Sequence, residues 1–514
     1  MPESETALDV LVIGAGPSGL TLAADLARRG VRCRVVDRRP EPLPGARCPN
    51  LWRRTLYALD RVGLDPEELR AESVEMRAKV FHVGGESVSV PLREDPDDDR
   101  WPFPLLVRQD RQEEMLSALA ERHGCPVRRG VEASLLSRER DSVLVGLRSA
   151  SGEERVRAAW VVAADGEDGP TRRAAGAAWT SRPYGDITWW QLDTGIEGLD
   201  LRPAREDLFH APRRHVGLVP LAGGRFRLFL AAPAAEAPAS PGAAEVEEAV
   251  RGILGSGVRL TGPDHLWRRT PFQGHADRWV LGRVLLLGDA ARVFPMPVHG
   301  LNTGIQDAAD LGWKLAAVVR GDAAPALLET YETERRGIAE VLMRRGEHVL
   351  RAGVSEDPAA ALAPILRERR PRVRTEPAGS YETGPLTLQG RHSMSDCAGD
   401  WIAPARVAAP GGARTVADLQ RDGRWLVLSP PGAGLRIEHR LDPLAVEDSR
   451  PERGDRVLVV RPDGYVGAEI PLREDRAASR DVRSYLDLVA SGGTRRSAAG
   501  PARSGAARSA APRG

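Results

Sequence analysis

A buried strand followed at once by a glycine-rich turn and a helix opens the chain, and this feature constrains its fold more than any other. Residues 7–13, ALDVLVI, form a continuous apolar run that predicts a strand buried on both faces. GAGPSG follows, and residues 17–29 repeat apolar side chains at helical spacing. CRVVD, residues 33–37, predicts a second, parallel strand. The chain therefore begins with a βαβ unit of the Rossmann type.

The glycines of this turn have the spacing GxGxxG, in which each glycine has its own purpose. Gly14 allows the tight turn, Gly16 lets a pyrophosphate approach the backbone, and Gly19 lets the helix pack close to the strand. Phosphates then lie at the helix N-terminus, where free N–H groups favour anions. Asp37 ends the second strand, where an acid can accept hydrogen bonds from a ribose diol and disfavours a 2′-phosphate. These residues predict FAD or NAD rather than NADP at this turn.

Further along, the hydrophobic pattern divides the chain into units. Buried strands recur in SVLVGLRS and AAWVVAADG, whereas alternating segments such as HVGLVPLAGGRFRLFLAA predict an antiparallel sheet between about Arg182 and Trp279. RVLLLGDAA returns as a buried strand, and a helical pattern follows to about Leu366. The predicted units are a dinucleotide-binding domain in two parts (1–181 and 280–370), an inserted sheet (182–279), a linker rich in Pro and Gly (371–385), a third unit (386–490) and a tail (491–514). The tail has almost no large apolar residue, so we expect it to be disordered.

Composition limits the partners and the compartment. A chain of 514 residues is expected to form two or three domains, and its formal net charge of +1 demands no polyanionic partner, so we expect no nucleic acid. The four cysteines, Cys33, Cys48, Cys125 and Cys397, are far apart and form no CxxC pair, which argues against a disulfide framework or a metal site. No apolar run approaches the ~20 residues of a membrane span. We expect a cytoplasmic protein with no membrane association.

Motifs spread over residues 8–345 resemble those of the class A flavoprotein monooxygenases, the para-hydroxybenzoate hydroxylase family. They follow the opening fingerprint in order: ARCPNLWRRTLYALDRVGL, LLVRQDRQEEML, ADGEDGPTRR and LGDAARVFPMPVHGLNTGIQDA. The chain looks most similar to the aromatic polyketide hydroxylase branch. The resemblance implies an α/β fold: a Rossmann-like FAD-binding domain with an inserted antiparallel β-sheet substrate domain, plus a C-terminal thioredoxin-like α/β domain.

The resemblance also implies how FAD is held. Arg47 would lie along the pyrophosphate, Arg38 beside the adenosine and Gln109 at the ribityl chain or flavin edge. Asp165 and Arg172 keep the spacing of the family's DG motif, and Asp289 matches the acid that binds the ribityl hydroxyls. The implied FAD-binding set is Gly14, Gly16, Gly19, Asp37, Arg38, Arg47, Gln109, Asp165, Gly288, Asp289, Pro295, Gly300, Leu301 and Asn302.

A helix start beside the flavin has a physical consequence. The helix is predicted to begin near Gly300, so the free N–H groups of Leu301 and Asn302 would face the N1–C2=O edge, where reduced flavin carries its negative charge. A helix terminus stabilises a partly buried anion by up to ~2 kcal/mol. At ~30 mV per ~1.4 kcal/mol, this raises the flavin potential by roughly 40 mV and favours hydride uptake.

The activity implied by the resemblance is hydroxylation of an aromatic or polyketide-derived substrate, with FAD as cofactor, NADPH or NADH as co-substrate and O2 as oxidant, through a flavin C4a-hydroperoxide. Because the cofactor performs the difficult step, we assign no catalytic side chain and no metal. Trp189, Trp190, Phe226 and Phe229 are expected to line or support the substrate cavity, although aromatic residues that alternate on a strand more often form part of a core. Baeyer–Villiger insertion, epoxidation and oxidative dearomatisation remain alternatives, as do a flavin oxidase or dehydrogenase and an FAD-binding scaffold without turnover.

Several positions depart from the family pattern. Arg292 replaces a histidine, Gly169 replaces a serine and Tyr57 stands where an acid is common. The loop PMPVHG is one residue shorter than expected, so either Met296 or Pro297 takes the place of the proline beside flavin N5, and the mobility of the flavin is put in doubt. Two functional hypotheses remain open at this stage. His299 could contact substrate or flavin, and Arg292 could pair with an acidic substrate or within the protein.

The third unit resembles a thioredoxin fold in VLVVRPDGYVGAEIP but lacks CxxC, so dithiol exchange is excluded. A structural or dimer-supporting role is expected, in a monomer or homodimer.

Overall fold

A computed structural model describes most of the chain. The described residues are 6–93, 100–236, 242–296, 299–368, 381, 384–388, 398–402, 404–409, 412–421, 423–448, 455–472 and 475–492. The α-helices are α1 (Pro17–Arg28), α2 (Arg53–Arg61), α3 (Pro66–Ala71), α4 (Gln109–Arg122), α5 (Pro170–Ala175), α6 (Ala243–Leu254), α7 (Gly300–Val319), α8 (Glu329–Gly353), α9 (Pro358–Glu368), α10 (Val416–Leu419) and α11 (Asp475–Ala490). None of the helices in this part of the chain combines the length and the apolar character needed to cross a membrane.

The strands, in chain order, are β1 (Thr6–Ile13), β2 (Cys33–Asp37), β3 (Asn50–Leu51), β4 (Val74–Glu75), β5 (Ala78–Val83), β6 (Glu86–Pro91), β7 (Leu105–Leu106), β8 (Val127–Arg129), β9 (Glu132–Arg138), β10 (Val143–Ser149), β11 (Gly152–Ala163), β12 (Trp179–Pro183), β13 (Ile187–Glu197), β14 (Arg205–Ala211), β15 (Arg214–Pro220), β16 (Phe226–Pro233), β17 (Arg259–Arg269), β18 (Phe272–Ala276), β19 (Val280–Leu281), β20 (Val284–Leu286), β21 (Arg292–Val293), β22 (Arg406–Ala409), β23 (Gly412–Thr415), β24 (Leu426–Ser429), β25 (Leu444–Glu447), β26 (Arg456–Val460) and β27 (Val466–Pro471).

The predicted βαβ unit is confirmed and forms the centre of the first sheet. Its strand order is β19-β20-β11-β1-β2-β8, with β1 parallel to both β2 and β11. Strand β20, which precedes the loop at Asp289, runs parallel to β11. In the register of the sheet Ile13 lies opposite Val36 and Ala163, and Ala163 lies opposite Leu286, so the loops after β1, β2, β11 and β20 meet at one edge.

Helices α1 and α7 pack unusually close, which brings the two distant motifs together. Ser18 of α1 lies between Gly288 and Gly304, where an added Cβ would be 2.8 Å and 2.2 Å from its Oγ. About two turns further along α7, a Cβ on Gly312 would be 2.2 Å from Oδ2 of Asp25 on α1. Glycine at these positions leaves room for the Ser18 and Asp25 side chains in their packed positions. The glycines of α7 therefore fix its N-terminus next to the GxGxxG turn.

The inserted sheet differs from the prediction in its membership. Within the described residues its order is β17-β13-β16-β15-β14-β5-β6, so β5 and β6 come from the segment predicted as the first part of the nucleotide-binding domain. Strand β14 pairs with β5 in parallel, so the sheet is not purely antiparallel. The boundary at residue 182 was wrong for these two strands, because local alternation reveals a strand but not the sheet it joins.

The aromatic residues of this sheet divide between its two faces. Trp190 and Phe226 pack with α6 in a hydrophobic cluster on the outer face, so for these two residues the core role applies and the cavity role is wrong. Trp189 and Phe229 lie on the inner face with ring centroids 4.9 Å apart, in a cluster that includes Met296. Neighbouring residues on a strand point to opposite faces, which separates Trp189 from Trp190.

The C-terminal unit contains a mixed four-stranded sheet in the order β25-β24-β26-β27 within the described residues. Its Arg461 is fully buried and pairs with Glu334 of α8 at 2.6 Å and Asp310 of α7 at 2.9 Å. Tyr381 falls inside the predicted linker, yet it is buried and stacks on Tyr465 at 4.1 Å. Most of the predicted linker, the tail from residue 493 onward and Cys397 lie outside the described residues.

Candidate functional site

One cavity of about 770 Å³ joins the motifs that the sequence singled out. The predicted residues that line it are Gly14, Gly16, Gly19, Asp37, Arg38, Arg47, Gln109, Asp165, Asp289, Gly300 and Leu301. Gly288, Pro295 and Asn302 are not on its wall. The structure also places residues there that the sequence analysis missed, among them Arg39, Glu113, Gln191, Arg227, Arg269 and Trp267.

The glycine turn has the geometry that its spacing predicts. Gly14 has φ +115°, and a Cβ there would be 2.1 Å from the carbonyl oxygen of Ala164 at the end of β11. A Cβ on Gly19 would be 2.1 Å from the Gly14 carbonyl oxygen, so helix and turn touch. Around Gly16 no atom lies within 4 Å of a Cβ position, which leaves open space on the cavity wall.

Both carboxylate oxygens of Asp37 already accept hydrogen bonds from within the protein. Its oxygens accept from the Ala15 amide at 2.8 Å, the Arg39 amide at 2.8 Å, and Arg39 Nε and Nη2 at 3.1 and 3.0 Å. Although burial opposes the shift, the hydrogen bonds from Arg39 and Ala15 lower the pKa of Asp37 below its ordinary value. These bonds fill the acceptor positions of a carboxylate, so a ribose would have to displace the Arg39 side chain. Arg39, which the sequence analysis did not single out, is the arginine that pairs with Asp37.

The backbone at Arg47 is held in an uncommon conformation by the inserted sheet. Arg47 has φ +38°, and its carbonyl oxygen accepts from Arg227 Nη1 at 2.8 Å and Gln191 Nε2 at 3.2 Å. Arg227 is itself paired through Nε with Asp193 Oδ1 at 2.6 Å, and both side chains are buried. Asp193 Oδ2 accepts from the Ala46 amide at 3.0 Å. Such backbone strain persists only where surrounding contacts over-determine it, as they do here.

The Arg47 and Gln109 side chains converge on one acid that sequence reasoning missed. Glu113 Oε1 accepts from Arg47 Nη2 at 2.5 Å and from Gln109 Nε2 at 3.1 Å. Glu113 is fully buried, lies one helical turn after Gln109 on α4 and lines the cavity. The signal available in the sequence was this i,i+4 spacing on a predicted helix.

The DG turn explains one departure from the family pattern. Asp165 Oδ2 accepts from the Thr171 amide at 3.1 Å, while its buried Oδ1 has no hydrogen-bond partner among the described residues. Desolvation raises the pKa of Asp165 above its ordinary value. A Cβ on Gly169 would lie 2.2 Å from the Asp165 carboxylate. Glycine at position 169, where the resembling family has serine, therefore makes room for this carboxylate.

Arg172 ties the DG turn to the loop at Asp289. Its Nη1 donates to the Ala290 carbonyl at 3.2 Å and its Nη2 to the Glu167 carbonyl at 2.8 Å. The guanidinium also lies 3.9 Å from the ring centroid of Trp179. The role of Arg172 in this structure is to fix two cavity-lining loops relative to each other.

Asp289 faces the cavity at the N-terminus of α7. Its side chain is accessible from the cavity, and a Cβ on Gly300 would be 3.4 Å from Oδ1. Desolvation by the surrounding protein, opposed by Arg292 and assisted by the charge of Glu167, raises the pKa of Asp289 to about 6. The first N–H groups of α7 have no acceptor within the helix, so this corner combines free donors with a carboxylate acceptor.

The predicted residues off the cavity wall support it from behind. The Asn302 side chain accepts from the Trp52 amide at 3.0 Å and donates to the Asn50 carbonyl at 2.7 Å, which ties α7 to β3. Gly288 has φ +64° and contacts Ser18 as described above. Pro295 contacts α8, where a Cβ on Gly346 would be 3.2 Å from its Cγ.

The remaining departures have structural explanations in part. Arg292 is fully buried and forms an ion pair with Asp307, which also accepts from Arg335 Nε at 2.6 Å. The hypothesis of an acidic substrate partner for Arg292 is therefore wrong. Tyr57 is buried with its ring 5.5 Å from that of Trp401. Met296 lines the cavity, while Pro297 lies outside the described residues.

Comparison with known proteins decides the family. Residues 7–346 match the family described as FAD binding domain. The chain is 34% identical over 485 residues to the 12-dehydrotetracycline 5-monooxygenase/anhydrotetracycline 6-monooxygenase of Streptomyces rimosus, with 89% of this chain and 94% of that protein covered. The chain belongs to the class A flavin-dependent monooxygenases.

Two further comparisons cover most of the chain. Rifampicin monooxygenase of Streptomyces venezuelae is 34% identical over 481 residues, with 89% of this chain and 94% of that protein covered. The solved structure of anhydrotetracycline hydroxylase from Streptomyces rimosus superimposes with a TM-score of 0.75 at 26% identity, over 95% of this chain and 100% of that one. FAD is the cofactor of this class A monooxygenase, and dependence on NAD(P)H is typical of its family.

Proposed function

We propose that the chain hydroxylates a polycyclic aromatic, polyketide-derived substrate with FAD, NAD(P)H and O2. The observation that carries this proposal is that one cavity is lined both by the GxGxxG turn with Asp289 and α7, and by Gln191 and Arg227 of the inserted sheet. Cofactor and substrate surfaces therefore share a single space. Two relatives from Streptomyces are named for action on tetracycline precursors and on rifampicin, which supports a polycyclic, polyketide-derived substrate.

The residues present fit FAD in three respects. Open space at Gly16 admits a pyrophosphate to the start of α1. Buried oxygens of Asp165 and Glu113 have no partner among the described residues, as acceptors for ligand hydroxyl groups would. Asp289 and the N–H groups of α7 offer an acceptor and donors at one corner. The residues proposed to hold FAD, by side chain or backbone, are Gly14, Gly16, Gly19, Asp37, Arg38, Arg47, Gln109, Asp165, Asp289, Gly300 and Leu301, supported from behind by Gly288, Pro295 and Asn302.

When bound, FAD supplies hydride acceptance and activation of O2. The chain's own contribution is orientation and exclusion of water. Asp289 accepts hydrogen bonds from ribityl hydroxyls, and the free N–H groups at Gly300 and Leu301 stabilise negative charge at the flavin. Val293, Phe294 and Met296 give the cavity an apolar wall beside them, against which a planar ring can lie. Gln191 on the facing sheet offers the polar contact to a ring substituent.

The test is turnover by the purified holoenzyme with a panel of tetracyclic and anthracyclic aromatic substrates under 18O2. We expect at least one substrate to stimulate NAD(P)H oxidation and to gain one labelled oxygen as a phenolic hydroxyl. A product in which the labelled oxygen lies between two ring carbons would indicate Baeyer–Villiger oxygenation instead of hydroxylation. NAD(P)H oxidation that yields only hydrogen peroxide with every substrate would indicate an oxidase, and FAD that is never reduced would indicate a scaffold.

We further propose that residues 386–490 form a thioredoxin-like unit without redox activity. Parallel pairing of β24 with β25, antiparallel pairing of β24-β26-β27 and the following helix α11 support this. Of the chain's four cysteines only Cys397 falls in this unit, so the unit has no CxxC pair. Insulin reduction by dithiothreitol is expected to proceed at the same rate with and without the protein, and acceleration would contradict the proposal.

A further inference from the structure

Glu113 is a buried acid on the cavity wall whose two oxygens are in different situations. Oε1 accepts from Arg47 and Gln109, as described above. Oε2 is buried and has no hydrogen-bond partner among the described residues. A buried carboxylate oxygen without a donor is costly, and native proteins usually provide one. Because Glu113 lines the cavity, a ligand in the cavity can supply that donor.

Arg47 is held at its backbone by the inserted sheet and at its side chain by Glu113, which orients the guanidinium. The backbone is fixed by Arg227 and Gln191 in a left-handed conformation. The side chain is partly exposed towards the cavity, and its Nε has no partner among the described residues. A guanidinium has five N–H donors, so pairing with Glu113 leaves donors for an anion. The Glu113 carboxylate therefore selects the direction in which the remaining donors of Arg47 point.

We propose that Glu113 is a positioning residue for the cofactor. It orients Arg47 and Gln109 towards FAD, and its Oε2 accepts a hydrogen bond from a hydroxyl group of FAD. This inference rests on the proposed function, in which Arg47 and Gln109 belong to the FAD site. Loss of the carboxylate frees the Arg47 side chain to rotate and removes one acceptor from the cofactor, so FAD binding weakens without any change at the reacting ring.

The experiment titrates FAD into the full-length apo-protein of the wild type, Glu113→Gln, Arg47→Met and the double variant. Glu114→Gln is the matched control, because Glu114 is the next residue on the same helix but is half exposed and pairs with Arg111. We expect Glu113→Gln to raise the FAD dissociation constant by about tenfold or more, since the hydrogen bonds it removes are charge-assisted. Glu114→Gln is expected to stay within about twofold of the wild type.

The double variant separates the two parts of the proposal. If Glu113 acts through Arg47, the double variant loses less affinity than the product of the two single losses. The loss that remains on adding Glu113→Gln to Arg47→Met measures the direct hydrogen bond from Oε2. Loss of the hydrogen bonds from Arg47 and Gln109 is expected to lower the melting temperature of apo Glu113→Gln below that of apo Glu114→Gln, so FAD affinities are compared at a temperature where every variant is folded. The non-multiplicative loss of FAD affinity in the double variant is the result that a purely structural role would not give. Should Glu113→Gln fail to fold, Glu113→Asp keeps the charge and is expected to weaken FAD binding by a smaller factor.

Wild-type affinity for FAD in Glu113→Gln would overturn the inference, as would fully multiplicative losses in the double variant. Both results leave the proposed function standing, provided that the wild type binds FAD and turns over. A wild-type protein that does not bind FAD would instead overturn the proposed function itself.

Discussion

Substitution of Gly304 by alanine is expected to weaken both the fold and FAD binding, although Gly304 does not line the cavity. The new Cβ would lie 2.2 Å from Ser18 Oγ and 3.6 Å from Gly288 Cα. Relief of that overlap requires the Ser18 hydroxyl to leave its packed position or α1 and α7 to move apart, and overpacking of this kind costs about 1–3 kcal/mol. Ser18 and Gly304 lie in the first two turns of α1 and α7, so either change disturbs a helix start that lines the cavity, and the FAD dissociation constant is expected to rise.

Alanine also favours a helix over glycine by about 1 kcal/mol, which partly offsets the strain. The matched control is Gly337→Ala on α8, because a Cβ there meets no atom within 4 Å. Urea unfolding of the two apo-proteins therefore isolates the packing cost. We expect Gly337→Ala to be more stable than the wild type, and Gly304→Ala to be about 1–3 kcal/mol less stable than Gly337→Ala.

Removal of the Ser18 hydroxyl supplies the second half of the test. In Ser18→Ala/Gly304→Ala the nearest remaining contact is that of the two Cβ atoms at 3.4 Å, which is ordinary van der Waals distance. Stability and FAD affinity are expected to return towards the wild type. Equal stabilisation by Gly304→Ala and Gly337→Ala, or no recovery in the double variant, would refute the argument that glycine packing brings the two motifs together.

Three further predictions concern ionisable groups that the surrounding protein desolvates. Arg227→Met leaves the buried Asp193 carboxylate without its ion-pair partner, so we expect the free energy of unfolding, measured with urea, to fall by about 3–5 kcal/mol. The double variant Asp193→Asn/Arg227→Met is expected to recover part of that loss. Desolvation lowers the pKa of His215 to about 3, so the unfolded chain binds more protons and stability falls as pH drops below about 6.5, by up to ~1.4 kcal/mol per pH unit. His215→Phe is expected to flatten that slope in unfolding curves measured from pH 7.5 to 5. Because the pKa of Asp289 is raised to about 6, its charge destabilises the apo-protein above that pH, and the penalty fades as pH falls towards 3.8. Asp289→Asn is expected to stabilise the apo-protein at pH 7.5 while weakening FAD binding. A variant that is less stable than the wild type as well as weaker in FAD binding would contradict the role proposed for Asp289.

The elements that the sequence predicted are those whose causes are local. Strand β1, helix α1 and the three glycines lie within one short segment, so spacing alone specifies their geometry. Asp37 was predicted at its observed position for the same reason. What the sequence left open is the partner of each group: Arg39 and not Arg38 pairs with Asp37, although both follow it directly. Neighbouring arginines differ only in the direction of the side chain, which the packed structure decides.

The parts that sequence reasoning missed depend on contacts between distant segments. Arg227 and Gln191 reach the Arg47 carbonyl from strands more than a hundred residues away. Strands β5 and β6 join the inserted sheet because β5 pairs with the edge of β14. The hydrophobic pattern within β5 does not indicate which strand will be its partner. Trp189 and Trp190, by contrast, could have been assigned to opposite faces from alternation alone.

The central claim is that segments near the start of the chain and around Asp289 hold the two ends of one FAD molecule. Hydrogen–deuterium exchange on the apo-protein, titrated with FAD, tests it most directly, because backbone N–H groups of both segments are proposed as ligands. We predict that the amides of Gly16, Ser18 and Gly19 and those of residues 300–302 become protected together, with one midpoint and at one FAD per chain. Protection confined to one segment, or two separate midpoints, would contradict a shared site.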